Sequence, residues 1–122
     1  MNQATKPWPT ELRIRDKGDT LAITFDTDES FDLSAEYLRV ESPSAEVKGH
    51  GPGQETLVSG KIMVKILGVE PVGNYAVKIQ FTDRHSSGIY SWDYLHKLGM
   101  EHEEIWAKYL QKLEDEGKSR GG

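Results

Sequence analysis

A chain of 122 residues, 36% hydrophobic and 29% charged, is long enough for one modest core and one domain. Fifteen Lys and Arg against twenty Asp and Glu give a net charge of −5, which argues against general nucleic-acid binding, because that needs a basic surface to displace counterions. The absence of cysteine excludes disulfides, thiolate metal sites and cysteine nucleophiles, and no apolar run approaches the roughly 20 residues of a membrane helix.

The first residues, with Pro7-Trp8-Pro9, predict a flexible lead-in over 1–9, with Trp8 available to dock on the body. Met1 to Thr10 carries no apolar leader core, so a cytoplasmic protein is expected. Leu12 and Ile14 alternate with Arg13 and Arg15 at strand period. A turn cluster at Asp16-Lys17-Gly18-Asp19 leads to a second alternation, Leu21, Ile23 and Phe25. After a turn at Asp26-Thr27-Asp28-Glu29, Phe31 and Leu33 resume the period. Ser34 is placed to cap a short helix over Ala35–Val40, which Pro43 ends because the residue before a proline avoids helical angles. Residues 41–60, rich in Ser, Gly and Pro, read as a long loop of the kind that often carries function.

The segment from Lys61 to Val72 is rich in β-branched residues, and a turn at Gly73-Asn74 joins it to the alternation Tyr75, Val77, Ile79 and Phe81. Together they are the best hairpin candidate. Ser91 can cap a helix from Trp92 to Leu98 that stops at Gly99. Ile105, Trp106, Tyr109, Leu110 and Leu113 form one helical stripe, preceded by Glu101, Glu103 and Glu104, where the helix dipole favours negative charge. The fold expected is α+β, a small antiparallel β-sheet of about five strands with C-terminal helices packed on one face. A single domain is expected over 10–113, with a disordered tail over 114–122.

Little in this pattern points to catalysis. Gly49-His50-Gly51-Pro52-Gly53-Gln54 lacks the Gly-Lys-Ser/Thr ending of a phosphate loop, and Asp26 and Asp28 lack the further ligands of a calcium loop. No serine lies in a Gly-x-Ser-x-Gly elbow. Gly88 to Leu95 is the most aromatic stretch and reads as core packing at a helix start rather than a cation cage. His96 and His102 sit among charged residues and read as surface groups. His50 and His85 lie in polar loops. With Asp83 they form a candidate metal set, since imidazole and carboxylate suit iron or zinc if three or more ligands converge.

Three blocks carry a family resemblance. They are Tyr37-Leu38-Arg39-Val40-Glu41-Ser42-Pro43-Ser44-Ala45-Glu46-Val47 with Gly49-His50-Gly51, then Val69 to Val77, then Phe81-Thr82-Asp83-Arg84-His85-Ser86-Ser87-Gly88-Ile89-Tyr90-Ser91-Trp92-Asp93-Tyr94-Leu95. Over about residues 10 to 99 the chain resembles the gamma-butyrobetaine hydroxylase N-terminal-like domain family, small bacterial stand-alone proteins of unknown function. In the hydroxylases this domain precedes a separate Fe(II)/2-oxoglutarate oxygenase domain, for which this chain is too short. The hydroxylase version also implies a zinc site of three cysteines and one histidine. Its cysteine positions fall here at Ser42, Ser44 and Val47 and its histidine at His85, so three of the four ligands are missing. A related domain fused to Mrp-type P-loop ATPases with Fe–S clusters implies a place near iron–sulfur assembly.

The function expected is therefore a small non-enzymatic binding or adaptor domain, docking a protein partner, linked by resemblance to iron or iron–sulfur metabolism. Its docking face would comprise Arg39, Ser42, Ser44, Glu46, His50, Tyr90, Trp92 and Asp93. No cofactor is expected on this reading, and a monomer or weak dimer fits the acidic charge and thin core. A protein binding iron or zinc through His85, His50 and Asp83 is the alternative, and a small enzyme the next.

Overall fold

The computed structural model describes residues 7–48 and 56–121, without the side chains of Ala45 and Glu46. Among these residues six strands and four helices follow one another in the order β1 Pro9–Arg15, β2 Thr20–Phe25, β3 Ser30–Ser34, α1 Ala35–Val40, α2 Ala45–Lys48, β4 Ile66–Val72, β5 Ala76–Phe81, β6 Ile89–Ser91, α3 Trp92–Met100 and α4 His102–Asp115. The class is α+β, but the strands divide into two antiparallel three-stranded sheets, β1-β2-β3 and β4-β5-β6, rather than one sheet of five. Hydrophobic alternation tells a strand which face to bury. It does not say which strand to pair with, and the link from Ser34 to Ile66 carries two helices and the long loop.

The alternation is realised most fully in β2, where Leu21, Ile23 and Phe25 are buried, and in β5, where Ile79 and Phe81 are. Leu33 from β3 and Tyr90 from β6 join them, and the two sheets share one core with Tyr37 and Leu38 of α1 and Leu95 and Leu98 of α3. β1 is peripheral, and its Ile14 is exposed. The strand β6 has three residues, too few for a period to show, and it pairs with β5 through Ala76–Ser91, Val77–Tyr90 and Lys78–Ile89.

Both serine caps form. Ser34 Oγ accepts from Tyr37 N–H and Ser91 Oγ from Tyr94 N–H, each satisfying a backbone donor that the first helical turn leaves open. Helix α3 runs on through Gly99 to Met100, so that glycine is not its stop. The α4 stripe is narrower than its sequence pattern. Tyr109 and Leu113 close a second small cluster with Val40, flanked by Leu57 and Val58, and Leu110 stays partly exposed.

The two histidines read as surface groups are half-buried. His96 packs edge-on between the rings of Phe25 and Phe31 and pairs with Glu29, and His102 lies against Tyr37 and Trp106. Trp8 meets Trp92 edge-on, and the Trp8 backbone N–H donates to Asp26 Oδ1. Within the stretch assigned to a frayed tail, the carbonyls of Ser119 and Arg120 accept from the N–H groups of Gly60 and Ile62. No helix among the described residues is long and apolar enough to cross a membrane.

Candidate functional site

The chemistry-bearing side chains meet where the corner between α1 and α2 faces the turn between β5 and β6. Helix α1 ends at Val40, Pro43 disfavours helical angles at the residue before it, and the Ser42 side chain lies inside the fold. Ser42 is wholly buried and Ser44 nearly so. Across from them His85 is buried at 7% exposure, with its Nε2 2.9 Å from Ser42 Oγ and 3.4 Å from Ser44 Oγ. Ser42 Oγ donates to Ser44 Oγ at 3.2 Å and accepts from Ser44 N–H at 3.3 Å. Gly88 makes this approach possible. A Cβ there would lie 2.4 Å from Ser42 Oγ, inside any tolerable contact.

Asp83 organises the turn that carries His85. Its Oδ1 accepts from His85 N–H at 3.1 Å, a local bond typical of Asp in turns. Its Oδ2 accepts from Arg39 Nε at 2.8 Å and from Lys61 Nζ at 2.7 Å. Burial by itself would raise the carboxyl, but the hydrogen bonds from Lys61, Arg39 and His85 N–H prevail and hold its pKa at about 2. Sequence reasoning did not single out Lys61, which lies 22 positions from Asp83 with no spacing that signals the pair.

Tyrosine hydroxyls tie the same two regions together. Tyr90 OH donates to the Leu38 carbonyl and Tyr94 OH to the Glu41 carbonyl, both at 2.5 Å, satisfying acceptors that the end of α1 leaves open. Burial, the main cause, pushes both phenols well above their usual range.

The residues expected to form a docking face differ in their exposure. Ser42, Ser44 and Tyr90 are interior groups, because the corner turns inward and Tyr90 occupies an inward position of β6. Arg39 is mostly buried against Asp83. Trp92 is half-buried, with its indole N–H donating to the Asn74 carbonyl, and Asp93 is exposed. His50 and the side chain of Glu46 lie outside the described residues. Of the expected metal set, Asp83 and His85 are neighbours and His50 is again outside the description.

Neither a nucleophile nor a metal centre follows from the geometry. Ser42 lies beside an imidazole, but it has no exposed surface for a substrate to reach, and Asp83 Oδ1 bonds the His85 main chain. Among the described residues no group of three or more His, Asp or Glu side chains is placed to hold a metal ion. The zinc that the resemblance implies does not fit these donors. His85 is one imidazole among two neutral hydroxyls, and the Asp83 carboxylate is already shared by two cations.

Beside this corner lies a groove of about 490 Å³. Val40, Val47, Leu57, Val58, Ile105 and Tyr109 give it an apolar lining. Lys48, Lys108 and Lys112 stand around it with Glu41 and Glu116. Glu41 sits mostly out of water, so burial raises its carboxyl, opposed by Lys48, Lys112 and Lys97. Tyr109 OH donates to the Val58 carbonyl and holds α4 to residues 56–58, within the stretch read as a long loop.

The fold and the buried hydroxyl–imidazole corner define a small two-sheet α+β domain without an accessible catalytic constellation among its described residues. The sequence profile described as gamma-butyrobetaine hydroxylase-like, N-terminal, matches residues 12–96, and the chain belongs to that family. Two proteins solved in solution by NMR are similar to it. One is 45% identical with a TM-score of 0.81, covering 95% of this chain and 91% of its own. The other is 44% identical with a TM-score of 0.81, covering 98% and 89%. A crystal structure of a DUF971-family protein of unknown function from Acidithiobacillus ferrooxidans is 34% identical with a TM-score of 0.63, covering 75% of this chain and 91% of its own. No curated protein matches the chain.

Proposed function

We propose that this chain is a non-enzymatic binding domain that docks a protein partner in the groove between α4, the end of α1, α2 and residues 56–58. The observation that carries the reading is the lining of that groove. Six apolar or aromatic side chains line it, and three lysines gather around it with Glu41 and Glu116, on a chain whose net charge is −5. An apolar floor with a few placed charges is the usual make-up of a recognition site, and the lysines suit a partner with acidic side chains beside its apolar ones. The family resemblance supplies the partner class to test first, a P-loop ATPase of iron–sulfur assembly.

The test is the affinity of the purified ATPase for the full chain and for a Lys108→Glu/Lys112→Glu variant. Both lysines are exposed, so the variant is expected to melt as the wild type does. Wild-type binding that weakens roughly tenfold or more in the variant supports the groove, as loss of paired charges at an interface implies. Binding unaffected by the double substitution would remove the groove from the reading. No binding by the wild type would remove the iron–sulfur partner.

A further inference from the structure

We infer that hydrogen bonds among Ser42, Ser44 and His85 replace a metal centre at this corner, so that the fold is metal-independent while the positions themselves still converge as ligands would. A structural metal joins segments distant in sequence by binding side chains from each. Here hydrogen bonds between side chains already join two distant segments. Ser42 Oγ and His85 Nε2 are 43 positions apart in the chain and 2.9 Å apart in space, and Ser44 Oγ is within 3.4 Å of the same nitrogen.

The surrounding bonds run between the same two regions. Arg39 reaches Asp83 across 44 positions, Tyr90 reaches the Leu38 carbonyl across 52, and Tyr94 reaches the Glu41 carbonyl across 53. The Ser42 and Ser44 hydroxyls are satisfied by one another and by the imidazole, so burying them carries no large penalty. A neutral hydroxyl is a weak ligand for zinc or iron, whereas a thiolate at the same place is a strong one. Donor chemistry, rather than the placement of the side chains, is what excludes the metal.

The experiment uses the full chain without a metal-binding tag and reads melting temperature with and without chelator, together with Co(II) titration followed by absorption. The wild type is expected to melt at the same temperature under both conditions and to develop no ligand-field band. A Ser42→Cys/Ser44→Cys variant is expected to gain a thiolate–cobalt band and to bind Co(II) roughly a hundredfold or more tighter than the wild type, as metal coupled to a folded site implies. Adding His85→Gln to that variant should weaken the band. A wild-type protein that carries stoichiometric metal, or that loses melting temperature on chelation, overturns the inference. So does a cysteine variant that is folded by circular dichroism yet takes up no Co(II). The wild-type measurement decides the case even if the variant fails to fold.

Discussion

Arg120 grips Glu36 from 84 positions away with both arms of its guanidinium, Nε to Oε2 at 2.9 Å and Nη2 to Oε1 at 2.7 Å. Glu36 is 6% exposed, in the first turn of α1, and the guanidinium also lies over the Trp106 ring at 5.3 Å. The C-terminal stretch is thereby fastened to the helix that leads into the buried corner.

Replacing Arg120 leaves a buried carboxylate without its fork. Arg120→Ala should lower unfolding free energy by about 1.5 kcal/mol, the lower end of the range for hydrogen bonds to charged groups, because the arginine itself is 42% exposed and partly screened. Arg120→Lys should recover only part of the loss, since an ammonium cannot make the paired contact. Urea denaturation measures both, and a midpoint equal to wild type for Arg120→Ala would show that the stretch is not fastened.

The Asp83 carboxylate predicts an acid limb in stability. Its folded pKa, about 2, lies below its ordinary value of 3.8, so its contribution is full above that ordinary value and drains away as pH falls towards 2. Asp83→Asn should be less stable than wild type near neutrality by about 1.5–3 kcal/mol. The gap between the two proteins should narrow as pH drops through that window. Thermal melts across the acid range check it, and a gap that stays constant would mean that the carboxylate charge is not what stabilises the turn.

Gly99 lies under a ring. A Cβ there would come within 2.5 to 2.7 Å of Phe31 Cγ and both Cδ atoms. Helix propensity alone would favour alanine by about 1 kcal/mol, but forcing the ring aside costs about 1–3 kcal/mol, so Gly99→Ala should destabilise. In a Phe31→Leu background, where the ring is absent, the same substitution should cost less or turn favourable. A double-mutant cycle that shows no coupling would separate Gly99 from Phe31.

Local features were readable without coordinates. The alternations of Leu21-Ile23-Phe25 and of Val77-Ile79-Phe81, the caps at Ser34 and Ser91, and the hairpin of β4 with β5 each depend on residues close in the chain, where propensity and period act directly. The resemblance implied that Ser42, Ser44 and His85 belong to one place, and the fold brings them there. The burial of Ser42, Ser44 and Tyr90 was not legible, because the sequence around a corner does not reveal which way it turns. Lys61 carried no local mark, and the α4 stripe was legible as a helix but not as a wall of the groove.

The amino-acid sequence by itself determined the class, the family, most of the strands and the helix starts, and the lack of thiolate ligands, since each rests on residue identity or on neighbours a few positions apart. Tertiary structure alone decided the split into two sheets, the burial of the serine–histidine corner, the helical passage through Gly99 beneath Phe31 and the Glu36–Arg120 clasp. Those depend on pairings between segments tens of residues apart. Their loop-closure entropy must be offset by the shared core, and periodicity along the chain does not encode which segments meet.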